Sequence, residues 1–310
     1  MGAWLATGCG GTDVGADGQY VEDLSATRYP IVLAHGFDAS PTNRWGFNDV
    51  AETLEADGHE VIVATVPPYA SVETRAEHLA YVVHDVLMDG HDKVNIVAHS
   101  MGGLDARYLT SSLGYGNFVA SVTTISTPHR GSNVADGVLK VLDGLAVDDE
   151  LLDDVASLWG LTFNELAQDS DVRAALEGIS LAEADRFNAE NPDHPAVFYQ
   201  SWAGVSSVAG LPNFKDEAAC ERFVHGHGKA DVMAASLVPM ASLAAHGLSL
   251  YPNDGMVRVQ SAKWGQFHGC ILADHLDEVG HGLDGPVERT GWNHRAFYRE
   301  VARGLAERGF

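Results

Sequence analysis

Residues 93–103 read KVNIVAHSMGG. A β-branched apolar run ends in a serine held between His99 and Met101, with Gly102 and Gly103 just behind. A strand, then small-x-Ser-x-Gly, then a helix is the setting of a strained corner. Such a corner lifts a serine hydroxyl above the carboxyl ends of a sheet, where α/β proteins place their ligands. Ala98 and Gly102 are small enough to let the flanking backbones pass closely. The helix behind the corner aims its first N–H groups at the same spot, which suits an anion. The plainer alternative is a surface turn with an ordinary serine; the flanking strand and helix favour the corner.

Outward from this corner, the first half of the chain alternates two rhythms. Residues 29–36 (YPIVLAHG), 59–68 (HEVIVATVPP) and 118–127 (FVASVTTIST) are short apolar runs that predict strands. Phe47, Val50 and Leu54 recur at helical spacing before a stop at Gly58. Residues 71–90 open on Ser71 and Thr74 ahead of acidic residues, a capping pattern, and close on Gly90. These units predict an α/β fold: a mainly parallel sheet with helices on both faces.

After 126–132 (STPHRGS) the rhythm changes, and residues 133–178 read as helices with no strand between them. Val134, Val138, Val141, Leu142 and Leu145 share one face, while Asp136, Lys140 and Asp143 turn away from it. Residues 151–163 (LLDDVASLWGLTF) are likewise apolar on one side and acidic on the other. Residues 196–204 (AVFYQSWAG) return to strand. The block 131–180 is therefore a helical insertion, a lid or a fixed cap, inside one domain of residues 29–310. Residues 232–247 read as a buried helix pair or pocket wall, and residues 292–309 as a closing amphipathic helix.

Aspartate and glutamate total 43 against 19 lysine and arginine, a formal net charge of -24. Such a surface repels phosphate backbones and excludes nucleic acid as a partner. No uninterrupted apolar segment is long enough to span a bilayer. Cys9 sits in LATGCGG, similar to the end of a clipped lipoprotein signal. Residues 1–28 read as that remnant or as a disordered tail. A secreted protein is expected, or a cell-envelope lipoprotein if Cys9 is lipidated. Cys220 and Cys270 remain as an even pair: a disulfide suits an exported chain, and two buried thiols are the alternative.

A serine hydroxyl needs a base to take its proton and an acid to orient that base. In the fold suggested here the acid and then the histidine follow the serine. Residues 251–257 (YPNDGMV) supply Asp254, and residues 273–280 (ADHLDEVG) supply His275. Asp254 also suits a plain Asp-Gly turn. Asp274 and Glu278 stand close to His275 in sequence and are read only as substitutes for the orienting acid. The amide after the nucleophile, at Met101, and that of Phe37 in LAHGF are the expected oxyanion donors.

These stretches resemble the bacterial true lipases of the Pseudomonas/Burkholderia type, within the α/β-hydrolase fold. The matching segments run from Tyr29 to beyond His281, and TPHRGS and HLDEV are more specific than the serine pentapeptide. The resemblance implies a triacylglycerol lipase acting on lipid esters at an oil–water interface. Ser100, Asp254 and His275 would be its triad, Phe37 and Met101 its oxyanion hole, and the insertion a mobile lid. A short-chain esterase or polyester hydrolase, or a noncatalytic binding protein on the same fold, are the rival readings. The resemblance also implies a structural calcium ion, on side chains mapped to Asp277 and Asp231 and carbonyls near His281 and Gly285. Some members depend on a lipase-specific folding chaperone; a monomer is expected. Three positions depart from the family: Ala98 for glycine, His281 for glutamine, and Cys270, which lies later than the family's cysteine, where Gln260 stands.

Overall fold

The computed structural model describes residues 26–37, 46–144, 170–224, 229–281 and 290–310. Cys9, Leu145, residues 151–163 and Gly285 lie outside the described residues.

Among the described residues six strands form one sheet in the order β2-β1-β3-β4-β5-β6, every neighbouring pair parallel. They are β1 (Ile31–Ala34), β2 (Val61–Val63), β3 (Val94–His99), β4 (Val119–Ile125), β5 (Phe198–Gly204) and β6 (Gln266–Ile271). The helices α1 (Val50–Ala56), α2 (Val72–Met88) and α3 (Gly102–Thr110) alternate with the first strands. Ser71 caps α2 by accepting the Thr74 amide, as its capping pattern requires.

The unbroken apolar run of β1 follows from burial on both faces. Ile31 and Leu33 join a core with α1 and the closing helix His294–Glu307. Val32 and Ala34 join the opposite core, with α2 and α3.

The sequence reading finds no strand at 266–271, yet β6 completes the sheet. QFHGCI carries little strand signal because Gly269 sits there, at φ 110°. A Cβ at Gly269 would collide with the Arg222 carbonyl, and the β5–β6 register shifts nearby.

A third core lies over the carboxyl ends of the strands. The helix α4 (Asn133–Leu142) buries Val134 and Val138, and the helix Ser170–Gly178 adds Val172 and Leu176. Both meet Leu237 and Met240 of the segment around the helix Val238–Ala244, together with Phe37 and Met101. Lys140 on α4 and Asp143 just past its end are exposed, as the one-sided pattern predicts, whereas Asp136 is half-buried and its Oδ1 accepts the Leu181 amide at 2.9 Å. A further helix, Leu181–Glu190, precedes β5, so helical structure continues past residue 178.

Candidate active site

Ser100 follows directly on β3 and has φ 52°, a left-handed backbone that costs a non-glycine residue about 1–3 kcal/mol. Its surroundings hold it there. The Ser100 amide donates to the Ile125 carbonyl at 2.9 Å, and Thr127 Oγ1 donates to the Ser100 carbonyl at 2.7 Å. A Cβ at Gly102 would strike the carbonyls of Ala34 and His35, so α3 can pass this close to β1 only as glycine.

Ser100 Oγ lies 3.0 Å from His275 Nε2, and His275 Nδ1 lies 2.8 Å from Asp254 Oδ2. A carboxylate oxygen only accepts, so Nδ1 carries the proton and Nε2 presents its lone pair to the serine hydroxyl. Asp254 is buried, and its Oδ1 accepts the amides of Met256 and Val257 at 2.8 and 2.7 Å. Burial pulls this carboxyl upward. The neighbouring His275 and the hydrogen bonds from His275, Val257 and Met256 outweigh that and hold it below the usual range. The His275 amide also donates to the Asp254 carbonyl at 3.0 Å, so the two loops are locked together.

Phe37 and Met101 are both buried beside this line. The Phe37 carbonyl accepts the Tyr69 amide at 3.0 Å, and the two rings meet edge to face. Arg75 Nη2 donates to the His35 carbonyl at 2.8 Å, which ties down the same loop from below. A pocket opens over Ser100 and His275, walled by Phe37, Ile179, Leu237, Met256, Val257 and Leu276. Its walls are apolar, and Ile179 and Leu237 belong to the helical layer above the sheet.

Of the two substitute acids, neither replaces Asp254. Glu278 Oε2 stands 3.8 Å from His275 Nδ1, a full ångström farther than Asp254, and instead contacts His99 Nε2 at 2.9 Å. Its Oε1 accepts from Ser126 Oγ at 2.6 Å. Burial and the nearby Asp254 charge push the Glu278 carboxyl well up. Burial and the neighbouring His275 push His99 well down, so both groups favour their neutral forms. Asp274 is occupied by the amides of Ala234, Leu276 and Asp277.

Asp231 and Asp277 converge, and Asp274 joins them: one oxygen from each lies within 4.8 Å of the others. Burial and the charge of Asp274 raise Asp231 to about 6, although Ser206 Oγ donates to it at 2.7 Å. Three crowded carboxylates, two of them buried, are a hard-oxygen donor set that fits a calcium ion. The resemblance maps Asp231 and Asp277 but not Asp274, which the sequence offers only as a substitute acid for His275. His281 turns its ring to the Gly46 carbonyl, at 2.5 Å from Nε2. Cys220 and Cys270 are joined by a disulfide across 50 residues of chain.

The model for the alpha/beta hydrolase fold family matches residues 29–202. A triacylglycerol lipase of Pseudarthrobacter phenanthrenivorans is 34% identical, over 83% of this chain and 90% of that protein. One from Burkholderia plantarii is 33% identical, over 83% and 80%. The crystal structure of Staphylococcus hyicus lipase superposes with a TM-score of 0.62 at 18% identity, covering 90% of this chain and 96% of that one. The chain belongs to the alpha/beta hydrolase family, among the relatives of the bacterial triacylglycerol lipases.

Proposed function

We propose that this protein is a serine ester hydrolase that cleaves triacylglycerols, with Ser100 as nucleophile, His275 as base and Asp254 as the orienting acid. The single observation that carries the reading is the hydrogen-bonded line from Ser100 Oγ through His275 to Asp254, set under an apolar cavity.

In the first half-reaction His275 Nε2 takes the serine proton as Oγ attacks the ester carbonyl. Negative charge grows on the carbonyl oxygen, and the amides of Phe37 and Met101 are its donors. One such donor is worth about 3 kcal/mol of transition-state stabilisation. The imidazolium, steadied by the ionised Asp254, then gives its proton to the departing alcohol. In the second half-reaction water, activated by the same nitrogen, releases the fatty acid and restores the hydroxyl. The apolar wall suits an acyl chain, and the apolar faces that α4 and the helix Ser170–Gly178 turn to Leu237 and Met240 suit a lid that opens toward oil.

Asp231, Asp274 and Asp277 would hold a calcium ion. When bound it would offset most of the charge of three facing carboxylates beside the loop that carries His275. Chelation should lower the melting temperature, and re-added calcium should restore it. Among the described residues no helix is long and apolar enough to cross a membrane.

The test is a series of esters of rising acyl length, assayed below and above their solubility limits. The reading predicts a jump in rate when long-chain substrate forms an interface, and loss of nearly all activity in Ser100→Ala. Rates that fall steadily with chain length, with no jump, would make the chain a short-chain esterase instead.

A further inference from the structure

Of the eleven large apolar side chains left exposed among the described residues, seven gather on one small region. Val208, Leu211 and Phe214 lie on the loop after β5, and Leu248, Leu250 and Tyr251 on the loop just before Asp254. Val232 joins them through a bridge to Ser207. Leu248 is 100% exposed, Phe214 78% and Leu211 66%. Scattered exposed leucines need no explanation, but a gathered set on a soluble surface does.

The region is built rather than accidental. Asn213 Nδ2 donates to the Leu250 carbonyl at 2.8 Å, and Lys215 Nζ to the Ser249 carbonyl at 2.5 Å. These bonds hold the two loops as one surface. Its place is set by the sheet. In an all-parallel sheet every loop leaving a strand's carboxyl end lies on the same edge. The loop after β5 therefore shares its edge with Ser100, after β3, and with His275, after β6. The second loop follows the helix Val238–Ala244, which packs in the same core as the cavity wall Leu237. At its start His246 Nδ1 meets Asn133 Nδ2 at 2.9 Å, at the root of α4.

The charges agree. In a chain of net charge -24, the groups laid over the aromatic rings of this surface are cations. Lys215 Nζ stands 5.6 Å from the Phe214 ring centre and 5.1 Å from that of Tyr251, and the Arg258 guanidinium 5.6 Å from Tyr251. Asp216 turns back to accept the Asn213 amide, while Glu217 stays exposed. Apolar tips bordered by amphipathic aromatic and cationic side chains suit an oil–water boundary, where released fatty acid would be anionic.

We propose that these two loops form a fixed docking surface for the oil–water interface of the protein's own ester substrate, separate from the helical insertion. The proposal rests on the reading of the site given above.

The test is the triple variant Leu211→Ser, Phe214→Ser, Leu248→Ser. Binding to triolein droplets is read by flotation, with Ser100→Ala in both parent and variant so that no substrate is consumed. The triple variant should lose at least about tenfold in droplet-bound fraction, since each side chain it removes would otherwise leave water. With Ser100 intact, its kcat/KM on p-nitrophenyl butyrate below the solubility limit should stay within about twofold of the parent. Phe214→Trp, which keeps the apolar area, should retain binding. Equal flotation of parent and triple variant would overturn the proposal. So would a lipid-free dimer of the parent that the triple variant fails to form, because the surface would then belong to a second copy of the chain. A parent with no hydrolysis of long-chain esters would sink the substrate reading, and flotation would still decide the docking surface.

Discussion

His35 is buried at the end of β1, next to the loop that carries Phe37, with Nδ1 3.0 Å from the Gly36 carbonyl and Nε2 3.5 Å from the Val66 amide. Gly36 can only accept, so Nδ1 holds the proton and Nε2 accepts. Burial and the charge of Arg75 lower this histidine from 6.5 to about 4. The unfolded chain therefore binds a proton near pH 6.5 that the folded chain refuses until about pH 4. Stability must fall as pH drops through that window. A neutral His35→Gln variant lacks this term. Urea unfolding of both proteins at pH 7.5 and pH 5 should show their stability gap shifting by about 2 kcal/mol in favour of the variant at the lower pH. Parallel behaviour of the two would contradict the burial argument. At this scale Ser100, Asp254 and His275 were legible because motif, turn residues and chain order name them. The tasks of Asp274 and Glu278 were not. Three acidic residues crowd 274–278, and only the short helical turn Asp277–Val279 decides which one faces His99 and which faces Asp231.

Two elements meet through a buried ion pair. Arg75 on α2 donates from Nε to Asp105 Oδ2 on α3 at 2.8 Å, with both side chains almost fully buried. Its Nη1 reaches the Pro67 carbonyl and its Nη2 the His35 carbonyl. Burial raises the Asp105 carboxyl to about 7 even beside Arg75; without the arginine it takes up a proton, and the Pro67 and His35 carbonyls lose their donor, which together costs about 3–5 kcal/mol. Arg75→Met should lose that much stability in urea unfolding. Arg299→Met, which breaks a more exposed pair with Asp57, should lose less than about 1 kcal/mol. Similar losses from the two variants would refute the ranking. Among elements, the early strands and helices were legible because β-branched runs and capping residues agree with their tertiary roles. β6 was not, because its glycine is demanded by the Arg222 backbone rather than by the strand itself.

For the molecule as a whole, the parallel sheet is what makes the site possible. Ser100 and His275 stand 175 residues apart in the chain, yet both leave carboxyl ends of strands on one edge. The strand–helix rhythm announced that architecture; it could not announce the apolar loops gathered beside the site, whose side chains carry no periodic signal. The central claim is that His275 activates Ser100 for attack on an acyl-like centre. The most direct measurement is labelling with a long-chain alkyl phosphonate ester, located by mass spectrometry of the digested protein. One adduct per chain is expected, on Ser100, formed at least about a thousandfold more slowly in His275→Ala. An adduct on another residue, or labelling of Ser100 at an unchanged rate without the imidazole, would contradict it.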